Sequence, residues 1–179
     1  LKAINAATSG VISLSGTANY GLALSGSAAD LAIALSGTFG GAGYTGAITI
    51  TGTTAAAADL KAINLATSGA VDASNVLTIT GTASDVAAVY TATAGDFTGL
   101  GNEALTLSTD PSLAELKAIN AATSGVISLS GTANYGLALS GSAADLAIAL
   151  SGTFGAGYTG AITNTGTTAA AAEIGRAHV

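Results

Sequence analysis

The first forty residues of this chain recur without change at 116–155. The pentapeptide LKAIN marks the repeat, starting at Leu1, Leu60 and Leu116, with spacings of 59 and then 56 residues. Its lysines, Lys2, Lys61 and Lys117, are the only lysines in the protein. The middle copy is diverged but alignable: LALSGSAADLAIAL (22–35) matches LTITGTASDVAAVY (77–90), and AITITGT (47–53) matches ALTLST (104–109). After residue 155 the third copy lacks one glycine of the Gly40-Gly41 pair and carries Asn164 where the first has Ile50. Self-similarity at a fixed period signals stacked supersecondary units rather than one globular core. The repeat units read as 1–59, 60–115 and an incomplete 116–172.

Two kinds of segment alternate inside a unit. VISLSG (11–16), AITITGT (47–53), VLTITG (76–81) and ALTLST (104–109) alternate Ile or Leu with Thr or Ser, the period-two pattern of a half-buried strand. SAADLAIAL (27–35), AAADLKAIN (56–64), ASDVAAVY (83–90) and SLAELKAINAATSG (112–125) are rich in good helix formers. Gly10, Gly69 and Gly125 stand where a C-cap glycine belongs. Strand and helix alternating at roughly 28 residues per pair point to parallel crossovers. The expected fold is an α/β repeat solenoid with stacked parallel strands and short helices; the alternative is a mostly-β parallel solenoid. In LKAIN, Leu60 and Ile63 should share one helix face with Lys61 and Asn64 beside it, and Leu116, Ile119, Lys117 and Asn120 repeat this. Lys is then the solvated group offsetting Asp59 or Glu115, and Asn64 and Asn120 are candidates for an amide ladder. Asn164 should face the core in place of Ile50.

Composition limits what such a fold can do. Hydrophobic residues are 49% of the 179, but aromatics only 4%, so the core is built from small side chains that each bury little area. Charged residues are 8%, far below the roughly 25% of an average domain. A net charge of −6 and no basic cluster argue against nucleic-acid partners. No apolar run approaches the ~20 residues of a membrane span. There is no cysteine, hence no disulfide framework and no thiol chemistry, and no methionine, which reads as an internal fragment of a longer protein.

The stretches DASNVLTITGTASDVAAVY (72–90), GLGNEALTLS (99–108) and AELKAINAATSG (114–125) resemble the repeats of very large, repetitive bacterial cell-surface or secreted proteins. The resemblance spans residues 1–172 as a pattern and is closest in 60–125; copies one and three depart from it with VISLSGTANYG. It implies an extracellular or cell-surface location and a structural or adhesive role, with no defined ligand. The last seven residues, EIGRAHV (173–179), instead resemble a translated sequencing adapter. The chain leaves its own repeat there, because Ala55–Ala58 continue into Asp59-Leu60-Lys61 while Ala169–Ala172 do not. The only His (His178) and the only Arg (Arg176) belong to this tail, which is set aside from functional reasoning.

The remaining side chains offer little chemistry. Ser27/Asp30, Thr82/Asp85, Ser112/Glu115 and Ser142/Asp145 have capping-box spacing and read as helix starts, with Asp110-Pro111 an alternative start. Without a native His or Cys the serines lack a base partner, and a zinc site is excluded. Gly41-Ala-Gly43-Tyr-Thr-Gly46 matches GxGxxG and recurs at Gly155–Gly160, but a strand-like segment follows, where a dinucleotide site needs a helix. The same stretch resembles half of a calcium-binding nonapeptide, with Thr45 in place of the Asp ligand, so neither calcium nor another cofactor is expected. One surface-binding candidate remains. Thr49, Thr51, Thr78, Thr80, Thr106 and Ser108, with Ser13 and Ser15, would form hydroxyl ladders on registered strands, though Thr on a strand's solvent face needs no ligand to explain it.

The expected function is therefore a structural spacer or adhesive segment without catalysis, its partners being neighbouring repeats and polysaccharide or other cell surfaces. The alternatives are an ice- or polysaccharide-binding Thr/Ser face and a calcium-stabilised repeat. Open repeat ends are expected to associate end to end.

Overall fold

The computed structural model describes residues 1–41, 43–92, 96–130 and 135–167. The elements run α1 (Lys2–Ala7), a 3-10 turn (Thr17–Gly21), β1 (Leu24–Gly26), α2 (Ala28–Leu35), β2 (Ile48–Ile50), β3 (Thr54–Ala56), α3 (Ala57–Ala66), β4 (Val71–Asp72), β5 (Thr78–Gly81), α4 (Ala83–Thr91), β6 (Phe97–Thr98), β7 (Ala104–Leu107), α5 (Leu113–Ala122), β8 (Ile127–Ser128), β9 (Leu139–Gly141), α6 (Ala143–Leu150) and β10 (Ile162–Asn164). This is an α/β fold of alternating parallel strands and helices. The EIGRAHV tail lies outside the described residues.

Two units divide the chain. One holds Leu1–Leu77 with Ala92–Leu100; the other holds Thr78–Thr91 and the chain from Gly101 onward. In the first, β1, β2, β4 and β6 form a parallel sheet in that order, and α1, α2 and α3 pack in succession. In the second, β5, β7 and β8 pair in parallel, β9 pairs with β10, and α4, α5 and α6 pack in succession. Every ladder joins segments one crossover apart.

The Ile/Thr alternation orients the strands. Leu24, Ile48, Val71 and Phe97 register in one row, and Ile79, Leu105 and Ile127 in another. Ile48, Val71, Ile79, Leu105 and Ile127 are buried, while Thr49, Thr80 and Thr106 point outward. Leu60 and Ile63 of α3 and Leu116 and Ile119 of α5 are all buried, as the LKAIN spacing predicts, and Leu116 packs with Leu139 of β9 and Leu146 of α6. Phe39 and Tyr44, and again Phe154 and Tyr158, make tilted ring pairs at 5.9 and 6.1 Å, the scarce aromatics filling the corners.

Hydroxyl caps start the helices as expected. Ser27, Thr82, Ser112 and Ser142 accept from the amides of Asp30, Asp85, Glu115 and Asp145 at 3.0–3.3 Å. Ser112/Glu115 closes the full box, with Ser112 N–H donating to Glu115 Oε2 at 2.8 Å. The alternative start at Asp110-Pro111 is not used.

Three local expectations are corrected. Gly10, Gly69 and Gly125 are not left-handed caps: the C-cap residues are Thr8, Thr67 and Thr123, all extended, and none of the three glycines has positive φ. The VISLSG strand (11–16) shrinks to a single bridge between Ile12 and Phe39, because the Tyr20 hydroxyl takes the Leu14 amide (3.1 Å) and Gly16, at φ 88°, turns the chain away. Asn164 stands opposite Gly141 as Ile50 stands opposite Gly26, but it is exposed where Ile50 is buried, its Oδ1 accepting from Gly166 N–H at 2.9 Å.

Candidate functional site

The outward hydroxyl rows are the first candidate. In the first unit Thr49 registers between Ser25 and Asp72, and Asp72 registers with Thr98. The row is therefore two hydroxyls, a carboxylate and a hydroxyl. Asp72 is held ionised below the usual carboxylate range by Ser74, whose backbone N–H donates to its Oδ1 at 3.0 Å. Thr51 is exposed beyond β2, its N–H bonded to Gly26 O. In the second unit Thr80, Thr106 and Ser128 register across three strands, a true hydroxyl row. Thr78 faces Ala104, and Ser108 is exposed with its N–H on Gly81 O. Of the six ladder residues, the structure registers Thr80 with Thr106; the other four have different neighbours.

The glycine-rich loop leads into β2, a strand. Gly41 and Gly43 take positive φ, and the Thr45 and Gly46 amides both donate to Tyr20 O at 2.8 and 3.0 Å. Those N–H groups, the ones an anion would need, are satisfied within the scaffold. Thr45 Oγ1 also donates to Tyr20 O. Among the described residues no three His, Cys, Asp or Glu side chains gather around a common point, and no helix is long and apolar enough to cross a membrane.

LKAIN bonds forward, to the next helix. Lys2 pairs with Asp30 and Lys117 with Asp145, the acidic residues in the first turns of α2 and α6. These lysines, with Ser27 and Ser142, hold the two carboxyls below their usual range. The expected offset of Lys117 by Glu115 is thus replaced, because Glu115 serves its own helix's box. Asn5 Nδ2 donates to Ile33 O and to Ser36 Oγ (2.8 Å), and Asn120 Nδ2 to Ile148 O and Ser151 Oγ (3.0 Å), closing the open carbonyl ends of α2 and α6. Asn64 instead donates to Asp96 Oδ2 at 3.3 Å, so Asn120 serves a helix end, Asn64 meets a carboxylate, and the two do not share an amide ladder.

After LKAIN comes Thr-Ser-Gly, a corner the sequence did not announce. Thr67 Oγ1 donates to Gly46 O (3.1 Å) and accepts from Gly69 N–H (3.0 Å); Thr123 Oγ1 does the same with Glu103 O and Gly125 N–H, at 3.1 and 3.0 Å. Ser68 N–H reaches Tyr44 O and Ser124 N–H reaches Gly101 O. The glycines are needed for close approach. A Cβ on Gly69 would overlap Gly46 O, and one on Gly125 would overlap Glu103 O.

Glu103 is the one functional-looking group that sequence reasoning missed. It is fully buried, and its carboxylate accepts from Tyr90 Oη–H at 2.7 Å and from Gly101 N–H at 2.8 and 3.0 Å. Burial first, and then the Glu103 carboxylate, pushes the Tyr90 phenol far above its usual range. The signal was the alignment of AITITGT with ALTLST, which sets Glu103 opposite Gly46 and so puts a carboxylate where another copy has no side chain. Tyr90 and Gly101 together fix the Glu103 carboxylate in the loop that leads into β7. No family model, curated protein or solved structure matches the chain.

Proposed function

We propose that the chain is a stacked-coil solenoid segment acting as a structural spacer or adhesive repeat in a large extracellular or cell-surface bacterial protein, without catalysis. The observation that carries this reading is where the repeated polar groups go. Leu24, Ile48, Val71 and Phe97 step along one sheet at intervals of 24, 23 and 26 residues, one coil per step. The lysines of α1 and α5 reach the next helix, and the threonine hydroxyls of the second and third corners reach the preceding coil. A scaffold whose polar side chains serve its own neighbours tolerates changes in copy number, as a spacer must.

The registered Thr80–Thr106–Ser128 row favours one rival, a hydroxyl face for polysaccharide or ice. Both are tested by offering the purified chain to polysaccharide columns and by an ice-recrystallisation assay. The spacer reading expects no saturable retention and no inhibition at micromolar protein. Retention that Thr80→Ala and Thr106→Ala abolish would replace it with the rival.

A further inference from the structure

We infer that this chain carries two complementary edges, residues 8–13 and residues 158–163, through which one copy stacks head to tail on another in a defined register. The inference rests on the stacked-coil reading above, and its template lies inside the first unit. There Tyr44 bridges Thr67, Ile48 pairs with Val71, and Thr49 with Asp72. Ser68 N–H donates to Tyr44 O and Thr67 Oγ1 to Gly46 O, both at 3.1 Å.

Each half of that interface recurs in a second place. Residues 158–163 repeat YTGAIT of 44–49, and LKAINAATSG of 1–10 differs from LKAINLATSG of 60–69 at one position, Ala6 for Leu65. The repeated halves are less covered than their templates. Tyr44 is 3% exposed and Ile48 1%, while Tyr158 and Ile162 are half-buried. Ile4 is 55% exposed, whereas Ile63 and Ile119, at the same place in LKAIN, are fully buried. Thr8 Oγ1 already holds Gly10 N–H as Thr67 holds Gly69, so the corner is formed ahead of any partner.

The occupant is thus a second copy, set by the template. Thr8 stands opposite Tyr158, its hydroxyl on Gly160 O; Ser9 N–H meets Tyr158 O; Ile12 pairs with Ile162 and Ser13 with Thr163. Gly10 then lies against Gly160 O as Gly69 lies against Gly46 O. Within its own chain Gly10 has room, since a Cβ there meets nothing nearer than Thr8 Oγ1 at 3.3 Å. Asn164 enters the place that Ile50 fills when fully buried, which weakens the contact. A contact between two different surfaces extends to further copies instead of closing as a two-fold dimer.

The test uses the 179-residue chain in two single-cysteine forms, Ser13→Cys and Thr163→Cys, oxidised separately and mixed. The expected result is a disulfide-linked pair in the mixture and none in either form alone. Adding Gly10→Ala to the first form should abolish the product with an unchanged circular-dichroism spectrum. Adding Asn164→Ile to the second should raise the yield at limiting concentration roughly tenfold, because a buried amide gives way to an apolar side chain. Linkage within one form, no linkage in the mixture, or linkage indifferent to both added substitutions overturns the register. Failure here leaves the stacked-coil reading to be judged separately, on the dimensions of tandem arrays of a single chain.

Discussion

Gly125→Ala and Gly10→Ala make the same change in the same Thr-Ser-Gly sequence, and the structure predicts opposite outcomes. A Cβ on Gly125 would stand 2.9 Å from Asn102 O and closer still to Glu103 O, and both are backbone atoms that cannot rotate aside. If the segment after α5 holds its place, overpacking of this kind costs about 1–3 kcal/mol, and a backbone obstacle belongs at the upper end. If that segment withdraws, it gives up Thr123 Oγ1–H to Glu103 O, Ser124 N–H to Gly101 O and Leu105 N–H to Val126 O. Three such bonds at about 1 kcal/mol each give a similar loss. Either route predicts a destabilisation of about 3 kcal/mol for Gly125→Ala. Gly10→Ala should stay within about 0.5 kcal/mol of the parent, like a surface substitution. Urea unfolding followed by circular dichroism, at protein concentrations too low for association, reads both. A loss under 1 kcal/mol for Gly125→Ala, or equal losses at the two sites, would refute the close-approach explanation of these glycines.

The other expectations are smaller or more local. Ile119→Ala should cost about 2–5 kcal/mol, while Ile4→Ala, the same LKAIN position on an exposed edge, should cost far less; the same urea titrations read both. Ser112→Ala removes the hydroxyl arm of the reciprocal box, leaving the backbone N–H of residue 112 on Glu115, and should destabilise by about 1 kcal/mol, with Ser112→Thr keeping the parent stability. Tyr90 is held protonated in the folded chain, whereas the unfolded chain releases that proton near pH 10. Its contribution is therefore complete below pH 10 and is lost as pH rises further, so stability should fall above pH 10, and Tyr90→Phe should make that fall shallower, the rest coming from Tyr44 and Tyr158, which burial also raises. Melting curves in millimolar calcium and in chelator should coincide, and a clear upward shift with calcium would revive the calcium-stabilised alternative.

Helices were readable because their signals are local. Ser112 and Glu115 lie three residues apart, and an Ala-rich run follows at once. The Ile/Thr strands β2, β5 and β7 were readable for the same reason. What escaped is bonded at long range. β4 and β6 are two-residue strands whose partners lie 23 and 26 residues away, too short to show alternation. Thr67 and Thr123 look like ordinary helix-end residues until the carbonyls at 46 and 103 are brought against them. Lys117 has an acidic residue two positions before it, and only the stacking of α5 on α6 shows that it answers Asp145 instead. Glu103 was hidden by its type, since a carboxylate before a strand reads as solvated until Tyr90 and Gly101 are seen to enclose it.

Stacking itself is best tested by length. Residues 1–115 form the interval between identical blocks and carry four helices, α1 to α4, which the proposed stacked-coil reading counts as four coils. Inserting one more copy of that interval before Leu116, in a chain carrying Gly10→Ala to suppress association, should lengthen the particle by about 19 Å at ~4.8 Å per coil. Small-angle X-ray scattering should then show the longest dimension rising by that step while the cross-sectional radius stays constant. A cross-section that grows with chain mass, as for a compact domain enlarging in all directions, would contradict the stacked-coil account.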